Sequence, residues 1–390
     1  MHVLYILGQS TGGLPHYTAE LANAVAEHAD VTVFKPNETS ADDVFDRGID
    51  VREVFAPLGI SMPKLSRREV DPREVVRGIL SYRNVREVRT VDPDIVHDTT
   101  DLFPQVKLFM KLHSIDAHLP VVVTRHEVEK RRLSFARPPH LAEELVHMAI
   151  PDIKLDRTVV HTENQKRALI DRGVPPQDVT VIPHGAYTIF GNYEDIDRDP
   201  EPNTLLFFGN VVRHKGIDTL VRAIPLVARD VPDVKLLVAG DGRIPRDVAH
   251  VVAENPAHFE VHDRFIPNEE VRQYFARAQA VVMPYHEREG GTNGHSGSLA
   301  TALSFGKPVV TSRAGDFPSL VEESGAGRTV PSGDPERLAA TIRDVLGDDQ
   351  SRREMAANSR RLGEELSWDS IAEKHLNLYH NVSRQRRISA

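Results

Sequence analysis

Cysteine is absent from the 390 residues, which excludes disulfides, thiolate metal sites and thiol nucleophiles. Long apolar runs are missing as well. No stretch approaches the ~18 residues that a membrane helix needs. The apolar start HVLYILG (2–8) is short and has no small-residue cleavage site behind it, so it reads as a first strand and not as a signal peptide. Net positive charge is lacking: the chain carries −9 at neutral pH, which argues against a general nucleic-acid binder. Lysine is sparse, 11 of the 48 basic residues, and there is a single tryptophan, Trp368. The dinucleotide fingerprint GxGxxG is absent. So is a clear DxD metal motif, since DPD at 92–94 sits as a turn before the apolar run at 94–97. There is no low-complexity tract and no short-period repeat. These absences suit a cytoplasmic protein.

What is present is ordinary soluble composition, 40% apolar and 27% charged, in a length that accommodates two or three domains. Short β-branched runs alternate with amphipathic stretches, the pattern of parallel sheets covered by helices on both faces. Strand candidates in the first half are 2–8, 31–34, 94–97, 120–124, 157–161 and 179–183. In the second half they are 204–209, 234–240, 259–262, 280–284, 308–312 and 327–330. Two such series predict two doubly wound domains. The Pro-, Asp- and Asn-rich segment 182–203 is the expected link. Near the C-terminus, Trp368, Ile371, Ala372, His375, Leu376 and Tyr379 fall on one helical face, which predicts a final amphipathic helix packed on a core.

Four motifs can carry chemistry. In GQSTGGLPHY, a strand is followed by Gly12 and Gly13 and then by a helix with Pro15 in its first turn; backbone amides there can approach an anion. In FFGNVVRHKGIDTL, Arg213 and Lys215 stand just before a helix starting near Gly216, an arrangement suited to a diphosphate. In SGSLATALSFGKPVV, the amides and hydroxyls of Ser296, Gly297 and Ser298 open a small-residue helix and can cradle a second part of the same anion. His126 follows the strand 120–124, at a place where α/β proteins put ligand contacts. His97, His161 and His184 hold similar positions, and spacing does not rank the four.

Taken in order, G-x5-KG (Gly209 to Gly216), LLVAGDG (236–242), MPY (283–285), FGKPVV with the following AG (305–315), the early GG loop, PDIVH (93–97), TRH (124–126) and VIPHG (181–185) resemble the retaining glycosyltransferases of group 1, family 4, over nearly the whole chain. The resemblance implies the GT-B fold: two Rossmann-like doubly wound domains facing across a cleft. It places an acceptor-side domain at 1–185, joined by a C-terminal helix (368–390) packing back on it, and a nucleotide-sugar-binding domain at 186–367. It implies that Arg213 and Lys215 bind the donor diphosphate, that Gly12 and Gly13 approach the phosphate from the other domain, and that His126 lies near the reacting centre. It further implies that Arg264, Phe265 and Ile266 contact the base. Most of the family carries two glutamates eight residues apart before GKPVV. Here Asn293 and Thr301 occupy those positions, leaving Thr301 at the place of the ribose contact, and the chain is closer to a subset that reads PY…SG…A…FGKPVV.

The activity so implied is transfer of a sugar from a nucleoside-diphosphate sugar to a glycan, lipid-linked or small-molecule acceptor, with retention of anomeric configuration. Fixed cations and helix amides would stabilise charge on the leaving phosphate, so no metal and no cofactor is expected beyond the donor as co-substrate. The alternatives are a sugar phosphorylase or epimerase on the same fold, or a nucleotide-sugar-binding protein without catalysis. Arginine-dense segments at 64–89 and 129–137 and the tail SRQRRISA suggest solvated surface or contact with anionic lipid, which would make the protein peripheral on the inner membrane face. The Gly-rich stretch 286–295 reads as a mobile lid or a surface insertion.

Overall fold

The computed structural model describes residues 1–56, 72–101, 103–129, 153–192, 199–287, 291–292 and 296–389. The arginine-rich 64–71 and 130–137, the loop residues 288–290 and 293–295, and Asn293 within them lie outside those residues. The chain divides into two compact units, Met1–Pro183 with Trp368–Ala390, and His184–Ser367.

The first unit is built on a seven-stranded sheet, ordered β3-β2-β1-β4-β5-β6-β7. Its strands are β1 (His2–Ile6), β2 (Asp30–Pro36), β3 (Asp50–Phe55), β4 (Ile95–Asp98), β5 (Val121–Arg125), β6 (Arg157–Val160) and β7 (Val179–Val181). Every pairing in it is parallel. Val3, Leu4, Tyr5 and Ile6 are all fully buried, as a central strand covered on both faces requires. Leu4, Ile6, Phe34, Phe55, Tyr82 and Val96 form one core beneath it.

The second unit has a six-stranded parallel sheet, ordered β10-β9-β8-β11-β12-β13. Its strands are β8 (Thr204–Phe208), β9 (Lys235–Ala239), β10 (Phe259–His262), β11 (Ala280–Met283), β12 (Val309–Ser312) and β13 (Gly327–Val330). Both sheets therefore run outward in both directions from a central first strand, the dinucleotide-fold order in which ligands gather beyond the strands' C-terminal ends.

The helices that matter for function are α1 (Gly13–Ala26), α2 (Pro72–Ser81), α3 (Glu163–Ile170), α4 (Ile217–Ala228), α5 (Gly297–Ser304) and α6 (Trp368–Ser389). Among the described residues no helix is long and apolar enough to cross a membrane. The last of them, α6, belongs to the first unit despite its place in sequence, and packs on α1 with Tyr17 and Trp368 edge to face at 5.4 Å. Further along, the Tyr379 hydroxyl reaches Tyr5 on β1 (3.1 Å) and Nδ1 of His97 on β4 (2.7 Å), and Nε2 of His97 meets the Thr124 hydroxyl (2.8 Å). Burial holds His97 well below the ordinary histidine range, so this chain of polar atoms stays neutral. The helix end is pinned by Arg386, which donates to the Asp116 and Leu119 carbonyls and pairs with Asp156. That side chain is only 14% exposed, so Arg386 is a structural clamp and does not add to the basic surface expected of the tail.

Tyr379→Phe leaves His97 and Tyr5 with unmatched buried groups. It is expected to cost about 1–3 kcal/mol, lowering the thermal midpoint by a few degrees, measurable by calorimetry.

Candidate functional site

Three segments of the second unit meet beyond the C-terminal end of β8. Gly209 closes that strand with a φ of +101°, and a Cβ on it would stand 2.9 Å from Ser298 Oγ and 3.1 Å from Lys215 Nζ. A hydroxyl and an ammonium thus flank a space that only glycine leaves open. Gly216 ends the Arg213–Lys215 turn with a φ of +73°, and its missing Cβ would lie 1.7 Å from the Pro284 carbonyl oxygen. The KG turn is therefore seated directly on the segment after β11. This seating brings Tyr285 beneath Lys215, whose Nζ lies 5.5 Å from the ring centroid. The Tyr285 hydroxyl is 2.8 Å from Ser296 Oγ, which in turn accepts from Leu299 N–H and caps α5.

Helix α5 points its N-terminus toward this point. The amides of Gly297 and Ser298 have no intrahelical carbonyl to bond, and the helix dipole favours an anion there. The serine and threonine side chains are otherwise engaged. Ser298 Oγ donates to the Phe208 carbonyl (2.8 Å), and Thr301 Oγ1 donates to the Gly297 carbonyl (2.8 Å) from a position only 2% exposed. The anion-facing features are thus backbone amides and one ammonium, with the hydroxyls serving to hold the loop.

Arg213 is placed differently from Lys215. Its guanidinium pairs with Asp247 and with the nearly buried Asp218 (3.0 Å), and those two carboxylates raise its already high pKa, Asp247 most. Asp218 also receives Nε2 of His286 at 2.8 Å. Lys215 has no carboxylate partner among the described residues. Arg264, Phe265 and Ile266 follow β10, on the same sheet edge: Arg264 pairs with Glu270, Phe265 is half exposed at 52%, and Ile266 is buried.

In the first unit, Gly12 precedes α1 with a φ of +90°, its carbonyl held by Ser40 Oγ (3.2 Å) and contacted by His16 Nδ1 (3.1 Å); Gly13 opens the helix. His97 and His161, at 0% and 3% exposure, are buried within the unit, and His184 is equally buried in the second one. His126, on the C-terminal side of β5, is the one of the four that is not buried. Its Nε2 lies 2.9 Å from the Thr99 carbonyl and its Nδ1 3.0 Å from His161 Nε2. Tyr285, Asp218 and Asp247 carried no assigned role in the sequence. Tyr285 was visible only as the last letter of MPY, and the two aspartates had no spacing to mark them.

The same fold is found in sucrose-phosphate synthase from Thermosynechococcus elongatus (TM-score 0.70, 20% identity, 100% of both chains) and in Anabaena Alr3699/HepE in complex with UDP and glucose (TM-score 0.70, 16% identity, 98% of this chain and 100% of that one). Two parallel-sheet α/β units of this kind define the GT-B fold. Residues 11–188 match the family model described as Glycosyltransferase Family 4, and residues 202–348 match Glycosyl transferases group 1. The chain belongs to the group 1, family 4 glycosyltransferases. Among curated relatives, the D-inositol 3-phosphate glycosyltransferase of Jonesia denitrificans is 25% identical over 95% of this chain and 91% of its own length. The sulfoquinovosyl transferase SQD2 of Arabidopsis thaliana is 24% identical over 78% of this chain and 60% of its own length.

Because Lys215 is unclaimed and Arg213 is held by two carboxylates, Lys215→Ala is expected to lower turnover more than ~100-fold with the fold intact, and Arg213→Ala less. Steady-state kinetics of the two variants, with circular dichroism to verify folding, compare them.

Proposed function

We propose that the chain transfers a sugar from a nucleoside-diphosphate sugar to an anionic acceptor, retaining anomeric configuration and without a metal. The observation that carries this is the convergence of Lys215 Nζ, the Gly209 backbone and the N-terminus of α5 on one anion-sized place at the edge of the second sheet. In such a transfer the bond from the anomeric carbon to the β-phosphate breaks while the acceptor oxygen bonds to the same carbon. The acceptor's proton passes to the leaving phosphate, on the same face, with no protein nucleophile. Negative charge grows on the phosphate in the transition state, and a fixed ammonium and amides aimed at it bind that state more strongly than the ground state. Protein cations then fill the role a metal plays elsewhere. In this reading Gly12, Gly13 and His126 act on the substrates from the first unit, and Arg264, Phe265 and Ile266 bind the base.

Support for a nucleotide donor comes from the UDP and UDP-glucose named with the Anabaena HepE structures. The acceptor class rests on the first unit. A recess of about 770 Å³ beyond β2 and β3 is lined by Arg73, Arg77 and Arg83 together with Val76 and Leu80 of α2, and by Glu53 of β3, whose carboxylate pairs with Lys35 (3.0 Å). Val76 and Leu80 are half exposed, at 54% and 49%. Cations beside exposed apolar side chains suit an acceptor with a phosphate on an apolar body, a lipid-linked one included, and would bring the protein to an anionic membrane surface. The Jonesia relative's name likewise contains a phosphorylated compound.

A panel of nucleotide sugars is incubated with phosphorylated and unphosphorylated acceptors, with and without chelator, while released nucleoside diphosphate and the product's anomeric configuration are measured. Release that persists in chelator, prefers phosphorylated acceptors and yields the retained anomer is expected. Stabilisation by nucleotide sugars without turnover, or release abolished by chelator, overturns the reading.

A further inference from the structure

Two histidines of the first unit make three contacts that count protons. His126 Nε2 faces the Thr99 carbonyl at 2.9 Å, His161 Nδ1 faces the Ile182 carbonyl at 3.0 Å, and His126 Nδ1 faces His161 Nε2 at 3.0 Å. A carbonyl oxygen only accepts, so each of the first two contacts needs a proton on the ring. Two neutral imidazoles carry only two protons in all. Both would then be spent on the carbonyls, leaving two lone pairs face to face at 3.0 Å. The third contact requires a third proton.

From this count we infer that His126 and His161 share one additional proton, that the pair carries a single positive charge, and that His126 is the imidazolium, with His161 as the residue that holds it so. The surroundings assign the charge to His126. His161 is buried, and burial lowers its pKa to about 4, whereas His126 is partly exposed. The Tyr17 ring of α1 lies nearer to the His126 ring (4.6 Å) than to that of His161 (5.5 Å), both within the range of a cation–π contact. Gln165 of α3 donates to the His126 carbonyl (2.8 Å) and, through Oε1, accepts from His161 N–H (2.8 Å), tying both histidines to one side chain. Among the described residues the other titratable groups nearby are His97 on β4 and His375 on α6, both kept neutral by burial, Arg125, which is paired with Asp101 (2.7 Å), and the exposed Glu127. His161 is thus a positioning residue: its Nε2 accepts from His126 Nδ1–H, which stabilises the charged form of His126 and fixes the ring. A permanent cation at this sheet edge would oppose the negative charge of a substrate phosphate, and this role rests on the transfer reaction proposed above.

The full-length protein labelled with [15N]histidine is followed by long-range 1H–15N correlation spectra, with His126→Gln and His161→Gln used to assign the two rings. At pH 7.5 both His126 nitrogens are expected to be protonated and His161 to be neutral with its proton on Nδ1. In His161→Leu the acceptor is gone, so the charged form of His126 loses support. The ring becomes neutral at pH 7.5, turnover falls by at least ~10-fold there, and the alkaline limb of kcat/KM moves to lower pH. His161→Gln, whose side-chain oxygen can accept the same proton, retains the imidazolium and the wild-type profile. A neutral His126 in the wild type at pH 7.5, or a His161→Leu variant with His126 still doubly protonated and the profile unmoved, overturns the inference. The spectra report charge without any turnover, so an unproductive donor screen would sink the transfer reaction alone and leave this result standing.

Discussion

The second unit depends on close backbone approach at two glycines. At Gly216 the chain lies so near the Pro284 carbonyl that no side chain fits, and at Gly209 a Cβ would press on Lys215 and Ser298. Seating the KG turn on the segment after β11 puts an ammonium, an aromatic face and a helix N-terminus around one point. Each of these alone is a weak anion site. Together, in a place held by backbone contact and not by mobile side chains, they are preorganised, which is what stabilisation of a developing charge requires.

Most side chains around that point are engaged within the protein. Ser296, Ser298 and Thr301 spend their hydroxyls on Leu299, Phe208 and Gly297, so the helix start is rigid before any ligand arrives. Arg213 is restrained by Asp218 and Asp247, and His286 shares Asp218 with it. The two cations of this turn therefore differ in their surroundings: Arg213 is held by two carboxylates, and Lys215 has none beside it among the described residues.

The first unit uses its polar interior differently. A neutral run through Tyr5, Tyr379, His97 and Thr124 ties α6 across the sheet, and a second run through Thr99, His126, His161 and Ile182 ends at the sheet's C-terminal edge. Both contain histidines that follow strands, yet the first is fully buried and the second emerges at His126. The two runs differ in burial, and a buried imidazole is held neutral while a partly exposed one can carry charge.

Much of the architecture was legible in the residues. Alternating β-branched runs and amphipathic stretches specify parallel sheets because a strand buried on both faces must be apolar throughout, and the glycine spacings of GNVVRHKG and FGKPVV mark where strands turn into helices. The roles of individual side chains were not legible in the same way. Spacing could not rank His97, His126, His161 and His184, and it could not foresee that Asp247, 34 residues away, restrains Arg213. Local pattern is a property of neighbours along the chain, and it is encoded by propensity and period. Which nitrogen meets which carbonyl, and which cation is left unpaired, depends on strands brought together from distant sequence, and only the folded sheet decides that.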